Sequence, residues 1–313
     1  MGFGFWIGML CAAVLIFFFL PTAIGSYIIF KTLLVRSSPE KWAREASMPE
    51  DDLYCRLYAD AIAWANENAA ARKEVRIESD GFALFGEYYD FGFDRAVLII
   101  AGRTECCRYS CHFAKPYKEA GYNVLTIDNR CHGLSEGKYN TLGMKEYRDI
   151  LEWCRLLKGE LHNRFVLLHG ICIGASTALF AATAGEGPTL VDALCADGMY
   201  TTFRESFKNH MIEKKKPLFP FVFEVMLLIR MICGVNVSSN GPIKRIGALS
   251  QPILFIHSRE DQYSLPDKAL ELYRLCSSEK KQISWFPHGA HSMVRITDPT
   301  GYDQAVNAYL RTL

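Results

Sequence analysis

From residue 96 onward, short apolar runs rich in β-branched residues alternate with longer stretches whose apolar positions recur at helical spacing. Runs at 96–103, 122–128, 165–169, 193–197, 253–257 and 282–286 read as strands, each too short for a buried helix. Strands that alternate with helices imply a parallel sheet covered on both faces. Ahead of them, 74–80 and 82–91 form an antiparallel hairpin about Asp80-Gly81, a strong turn dipeptide. The Ala-rich stretch 51–71 carries Leu53, Leu57, Ile62 and Trp64 at the spacing of an amphipathic helix. A further helix is expected over 141–157 with Thr141 as its N-cap, and a last one near 303–313. The alternation breaks over 201–250. There Lys214-Lys215-Lys216-Pro217 precedes the apolar, aromatic stretch 218–233, which Glu224 and Arg230 interrupt.

The first residues have a different pattern. The stretch 3–30 holds no ionisable side chain except Cys11 and Tyr27, and it exceeds the roughly 20 residues that span a bilayer. Trp6 and Tyr27 stand near its ends, where amphipathic rings favour the interface, and Pro21 is tolerable in a membrane helix. No basic region precedes the run, which disfavours a cleaved signal peptide. Lys31, Arg36, Lys41 and Arg44 follow it, so the positive-inside rule keeps the C-terminal side in the cytoplasm. The expected organisation is a single-pass transmembrane anchor at 1–35, a linker and amphipathic helix at 36–73, and one catalytic domain at 74–313 with a cap insertion at about 201–250.

The strongest chemical signal lies where 165–169 ends. Gly170-Ile171-Cys172-Ile173-Gly174 passes straight from a strand into an Ala-rich helix former. This is the pattern of a nucleophile elbow, a sharp turn that presents one side chain at the end of a sheet. The helix that follows aims its N-terminal N–H groups at that side chain, and a helix N-terminus favours the attacking thiolate. Three other segments occur in the order this architecture needs: Ala101-Gly102-Arg103 after a strand, Asp128-Asn129-Arg130-Cys131-His132-Gly133-Leu134-Ser135 after the next, and Asp261 and His291 late in the chain. With these motifs the chain, from about residue 75 to its C-terminus, resembles the α/β-hydrolase superfamily. It is most similar to serine-aminopeptidase-like and acyl-hydrolase members, with Cys in the elbow as in dienelactone hydrolases.

The resemblance implies an α/β-hydrolase fold and a Cys172–His291–Asp261 triad for acyl transfer. His288 is the local rival of His291, and Glu260 and Asp267 are rivals of Asp261. Ser176 sits one helical turn past the elbow and is a poor substitute nucleophile. The implied oxyanion hole is the backbone N–H of Ile173 with that of Arg103, and the loop Asp128–Arg130–His132 is expected to brace the site from below. The family commonly has a cap at 201–250. If that cap accommodates an acyl chain, Phe219, Phe221 and Phe223 should influence chain-length preference.

Composition narrows the field further. In 313 residues the formal net charge is +1, which gives no electrostatic basis for nucleic-acid binding. No Gly-rich phosphate loop follows a strand, so no nucleotide cofactor is expected. Eleven cysteines, odd in number and scattered, suit a reducing compartment. Cys106, Cys107, Cys111 and His112 lack any recognised zinc spacing, and no metal is expected. The reading is a membrane-anchored hydrolase of an ester, thioester or amide, acting on a small-molecule or acyl substrate. A binding or scaffold protein that kept the fold without the chemistry, and an acyltransferase, are the alternatives.

Overall fold

The structure, a computed structural model, describes residues 2–43 and 51–313, with the side chains at 3, 11–16 and 18 also outside the described set. Arg44, one of the basic residues expected to flank the anchor, lies outside it. The strands are β1 (Arg72–Ser79), β2 (Phe82–Tyr89), β3 (Arg95–Ile100), β4 (Asn123–Ile127), β5 (Phe165–Ile171), β6 (Ala193–Asp197), β7 (Ile253–Ser258) and β8 (Lys281–Phe286). The longer helices are α1 (Phe3–Leu34), α2 (Asp52–Glu67), α3 (Tyr147–Lys158), α4 (Ile173–Ala182), α5 (Phe203–Glu213), α6 (Phe221–Leu228), α7 (Pro266–Leu275) and α8 (Pro299–Leu310).

The strands form one sheet in the order β1-β2-β4-β3-β5-β6-β7-β8. The hairpin β1–β2 and the pair β2–β4 are antiparallel, and β3 to β8 run parallel. Successive side chains of a strand point to opposite faces, and β3 shows the result. Leu98 and Ile100 join a core with Trp153 of α3, Leu179 of α4 and Leu272 of α7. Val97 and Ile99 join the opposite core with Ala61 and Ala65 of α2 and Tyr302 of α8. Both faces of the sheet are therefore buried, which is why its central strands read as unbroken apolar runs.

Three expectations need revision. The helix expected from Thr141 begins at Tyr147. Leu142 and Gly143 both take positive φ, and the Glu146 carboxylate accepts from Thr141 N, Thr141 Oγ1 and Gly143 N at 2.6–2.9 Å. The polar loop thus satisfies its own backbone, and no helical turn forms there.

The apolar stretch over 218–233 is not one regular helix. Residues Phe221–Leu228 form α6, and Ile229–Cys233 widen into a π turn that Gly234 ends in the left-handed region.

The third revision concerns the anchor. A helix does form over Phe3–Leu34, yet among the described residues no helix is long and apolar enough to cross a membrane. Its C-terminal half is built into the domain instead. Phe30 and Leu34 are buried with Phe203, Phe207, Val225 and Ile229 of the helices over 203–233. Thr22 and Ser26 donate to the two carboxylate oxygens of Glu224 on α6 at 2.9 and 2.7 Å.

Candidate active site

The site is built at the C-terminal ends of the parallel strands. Cys172 stands between β5 and α4 with φ 54° and ψ −107°, a strained conformation for a residue with a side chain. Two glycines make the turn possible. A Cβ on Gly174 would lie 2.0 Å from the carbonyl oxygen of Ile100, and one on Gly170 would lie 2.3 Å from the nitrogen of Ala175. The Cys172 N–H donates to the Asp197 carbonyl at 2.8 Å, pinning the elbow to the end of β6. The Cys172 side chain is partly exposed, and it lines a cavity of about 230 Å³ together with Gly102, Arg103, Ile173, Tyr200 and His291.

His291 follows β8. Its Nδ1 is 2.7 Å from Oδ2 of Asp261, which lies just beyond β7. Backbone N–H groups of Tyr263 and Ser264 donate to the other Asp261 oxygen at 2.9 and 2.8 Å, so the carboxylate is held on both sides. Burial alone would lower the His291 pKa, but the sulfur of Cys172 and the Asp261 carboxylate outweigh it and hold the imidazole well above its ordinary value. Asp261 is lowered despite its burial, because His291 and His257 face it. The Tyr263 ring covers His291 edge-on at 5.4 Å, and His210 of α5 packs against Tyr263 in turn.

The rivals lie elsewhere. His288 and Glu260 pair with each other at 2.9 Å, both exposed. Asp267 is exposed in the first turn of α7. Ser176 is buried inside α4.

Ile173 is the first residue of α4, and its N–H has no intrahelical acceptor. Neither that N–H nor the N–H of Arg103 has a hydrogen-bond acceptor among the described residues. Both border the same cavity as Cys172. The loop that carries Arg103 is fixed from beneath. Thr104 N donates to His132 Nε2 at 3.3 Å, Asn129 Nδ2 donates to the Ala101 carbonyl at 3.2 Å, and Trp42 stacks on His132 at 4.6 Å. Burial lowers His132 to about 4, so it stays neutral and accepts. Asp128 accepts from Cys107 N and Leu134 N, while Arg130 bridges Asp149 and Asp80.

Cys106, Cys107, Cys111 and His112 are buried, and burial pushes the Cys111 thiol up to about 12. Among the described residues no group of three or more His, Cys, Asp or Glu side chains is placed to hold a metal ion.

Several residues around the site escaped sequence reasoning. Tyr54, Glu105, Phe207, His210, Tyr263 and Leu33 of α1 all line the cavity. Loss of water pushes Glu105 up to about 7. Beneath the elbow, Tyr302 donates to Asp197 at 2.9 Å and lies 3.1 Å from His169 Nε2, while Tyr117 lies 3.1 Å from His169 Nδ1. No short motif announces such contacts, because each joins elements far apart in the chain.

No protein-family model matches the chain. The uncharacterized protein YqkD of Bacillus subtilis (strain 168) is 28% identical over 218 residues, which are 68% of this chain and 70% of that protein. The lysophosphatidylserine lipase ABHD12 of Danio rerio is 26% identical over 207 residues, 62% of this chain, and the match spans only 51% of that relative's length. Among solved structures, the Pyrococcus furiosus esterase Pf2001 superimposes with a TM-score of 0.65 at 22% identity, covering 79% of this chain and 93% of that one. The α/β hydrolase GrgF from Penicillium gives 0.60 at 15% identity, covering 77% and 98%. The chain has the α/β-hydrolase fold. The proteins similar to it in sequence or structure include an esterase, serine hydrolases and a lipase.

Proposed function

We propose that the chain is a hydrolase of an ester, thioester or amide that works through an acyl-enzyme on Cys172. The observation that carries this reading is the alignment of a partly exposed elbow cysteine, the His291–Asp261 pair and two unpaired backbone N–H groups on one cavity. In the reaction, Cys172 passes its proton to His291 and its Sγ attacks the acyl carbon. The N–H groups of Ile173 and Arg103 receive the charge that develops on the carbonyl oxygen. As the bond to the leaving group breaks, His291 gives that group its proton, leaving a thioester on Cys172. His291 then takes a proton from water, which attacks the thioester; the acid departs and the thiol is restored. Asp261 keeps the imidazole in the tautomer that points Nε2 toward the sulfur.

The location belongs to the same proposal. The outer turns of α1 expose Phe5, Trp6, Ile7, Leu10, Phe17 and Leu20, and basic residues follow the helix. This favours attachment to a bilayer through the start of α1. Fractionation of the full chain tests it: recovery in the membrane pellet is expected, and a wholly extracellular chain shortened near Ser26 would refute it.

Intact-mass measurement after exposure to a panel of activated acyl esters tests the chemistry. Wild type should gain one acyl group that is then lost to water, and Cys172→Ala should gain none. Absence of both adduct and turnover for every ester would favour a binding protein on the same fold.

A further inference from the structure

A second cleft, of about 340 Å³, lies between α1 and the cap. Ile28, Ile29, Thr32 and Leu33 form one wall; Phe207, His210, Met211 and Phe221 form the other. Leu33, Phe207 and His210 line both this cleft and the cavity that holds Cys172, so the two spaces lie on either side of these three side chains. The depth of the cleft is graded. Phe207 and Met211 are buried, whereas Ile28, Thr32, Lys214 and Lys216 are exposed. The polar residues Tyr54, Arg103, Thr104 and Glu105 line the catalytic cavity and take no part in the cleft.

We infer that the cleft receives the hydrocarbon chain of the substrate, which is therefore a single-chain acyl ester or thioester. This rests on acyl transfer at Cys172. The acyl carbon sits at the sulfur, the chain passes Leu33, Phe207 and His210, and it continues between α1 and the cap. The leaving group then occupies the polar side at Arg103 and Glu105. A peptide segment would fit the cleft poorly, because a mostly apolar lining strips its backbone of water without replacing the lost hydrogen bonds. A polymethylene chain has none to lose and gains from each carbon removed from water. The stems of Lys214 and Lys216 add apolar surface at the outer end while their ammonium groups stay in water. Phe221 alone among the three cap phenylalanines suggested by the sequence faces this space; Phe219 and Phe223 are 71% and 65% exposed.

The test uses the purified full chain and an ester series from acetyl to dodecanoyl. In wild type, kcat/KM should climb with chain length over the first several carbons, by up to about fourfold for each methylene buried. Ile29 lines the cleft and not the catalytic cavity; Ile29→Trp should cut the octanoyl-to-acetyl ratio of kcat/KM by tenfold or more, and Ile29→Leu should keep it near wild type. The ratio guards against misfolding, which lowers both esters together. An acyl probe carrying a diazirine near its far end, once on Cys172, should cross-link within 28–33 or 207–221. A wild-type rate that is flat with length, or an Ile29→Trp ratio equal to that of wild type, would overturn the cleft while leaving acyl transfer intact. Failure of every ester, with no adduct on Cys172, would overturn acyl transfer and the cleft with it.

Discussion

His291 Nδ1 donates to Asp261 Oδ2 at 2.7 Å, while the neighbouring His288 and Glu260 form a separate pair in solvent. Two His–carboxylate pairs thus arise from the same two loops, and only one borders the cavity of Cys172. His291→Ala should lower kcat/KM for an activated ester by about 100-fold to 10,000-fold, the usual range for loss of an acid–base group. His288→Ala should change it less than twofold or so, since an exposed pair of this kind contributes little. Steady-state kinetics of the two variants side by side decides which imidazole is used; the reverse ranking would reassign the base.

Cysteine reactivity should be equally selective. Cys172 is partly exposed, whereas burial pushes the thiols of Cys154 and Cys233 up to about 12 and 11 and raises Cys131 and Cys195 further. Under native conditions, limiting iodoacetamide should modify Cys172 at least tenfold faster than these four, as read by peptide mass spectrometry, with reactivity set by thiolate population and access. The same treatment should abolish ester turnover in step with the modification. Activity that survives full alkylation of Cys172 would exclude it as the nucleophile.

The link between Glu224 and α1 should appear as stability. Its carboxylate accepts from Thr22 and Ser26 across the α1–cap contact. Hydrogen bonds to a charged acceptor contribute about 1.5–3 kcal/mol when buried, and less at this partly buried site. Ser26→Ala should therefore cost about 1 kcal/mol, and Ser26→Ala with Thr22→Val more than either alone. Thermal unfolding in the same detergent or buffer reads the loss, and an unchanged midpoint in the double variant would show that the contact is not formed in solution.

Asp197 gives a pH dependence of known sign. Burial lifts its pKa from 3.8 to about 7. Between those values the folded chain keeps a proton that the unfolded chain has released, so stability falls as pH rises through this window and levels off above it. Asp197→Asn removes the effect. The variant should gain on wild type from about pH 4 to pH 7, by at most about 4 kcal/mol. Denaturant unfolding at several pH values checks this. A difference that is constant, or that grows toward acid, contradicts the assignment.

What the sequence made legible follows from range. Each strand of the sheet, the elbow at Cys172 and the loop at Asp128–His132 rest on neighbours a few residues away, and all are readable in a single window. His291 and Asp261 required chain order, which the resemblance supplied. The helix begins at Tyr147 and not at Thr141 because Leu142 and Gly143 take positive φ, and Glu146 holds that loop by accepting from Thr141 N and Gly143 N. The docking of α1 was out of reach for a different reason. Ser26 and Glu224 are 198 residues apart, and an apolar run carries the same pattern whether lipid or protein covers it. Nor does any local signal join His169, Tyr302 and Asp197, since their contact exists only once the sheet and α8 are assembled.

Leu33 belongs to α1 and also to the wall of the cavity that holds Cys172. An apolar N-terminal stretch is commonly cut away to obtain a tractable enzyme. Here a cut placed after Leu34 would take a wall of the Cys172 cavity with it, open that cavity to bulk water and remove the partners of Glu224 on α6. If acyl transfer runs at Cys172 as proposed, such a shortened protein would differ in selectivity, and rates measured on it would not describe the longer chain.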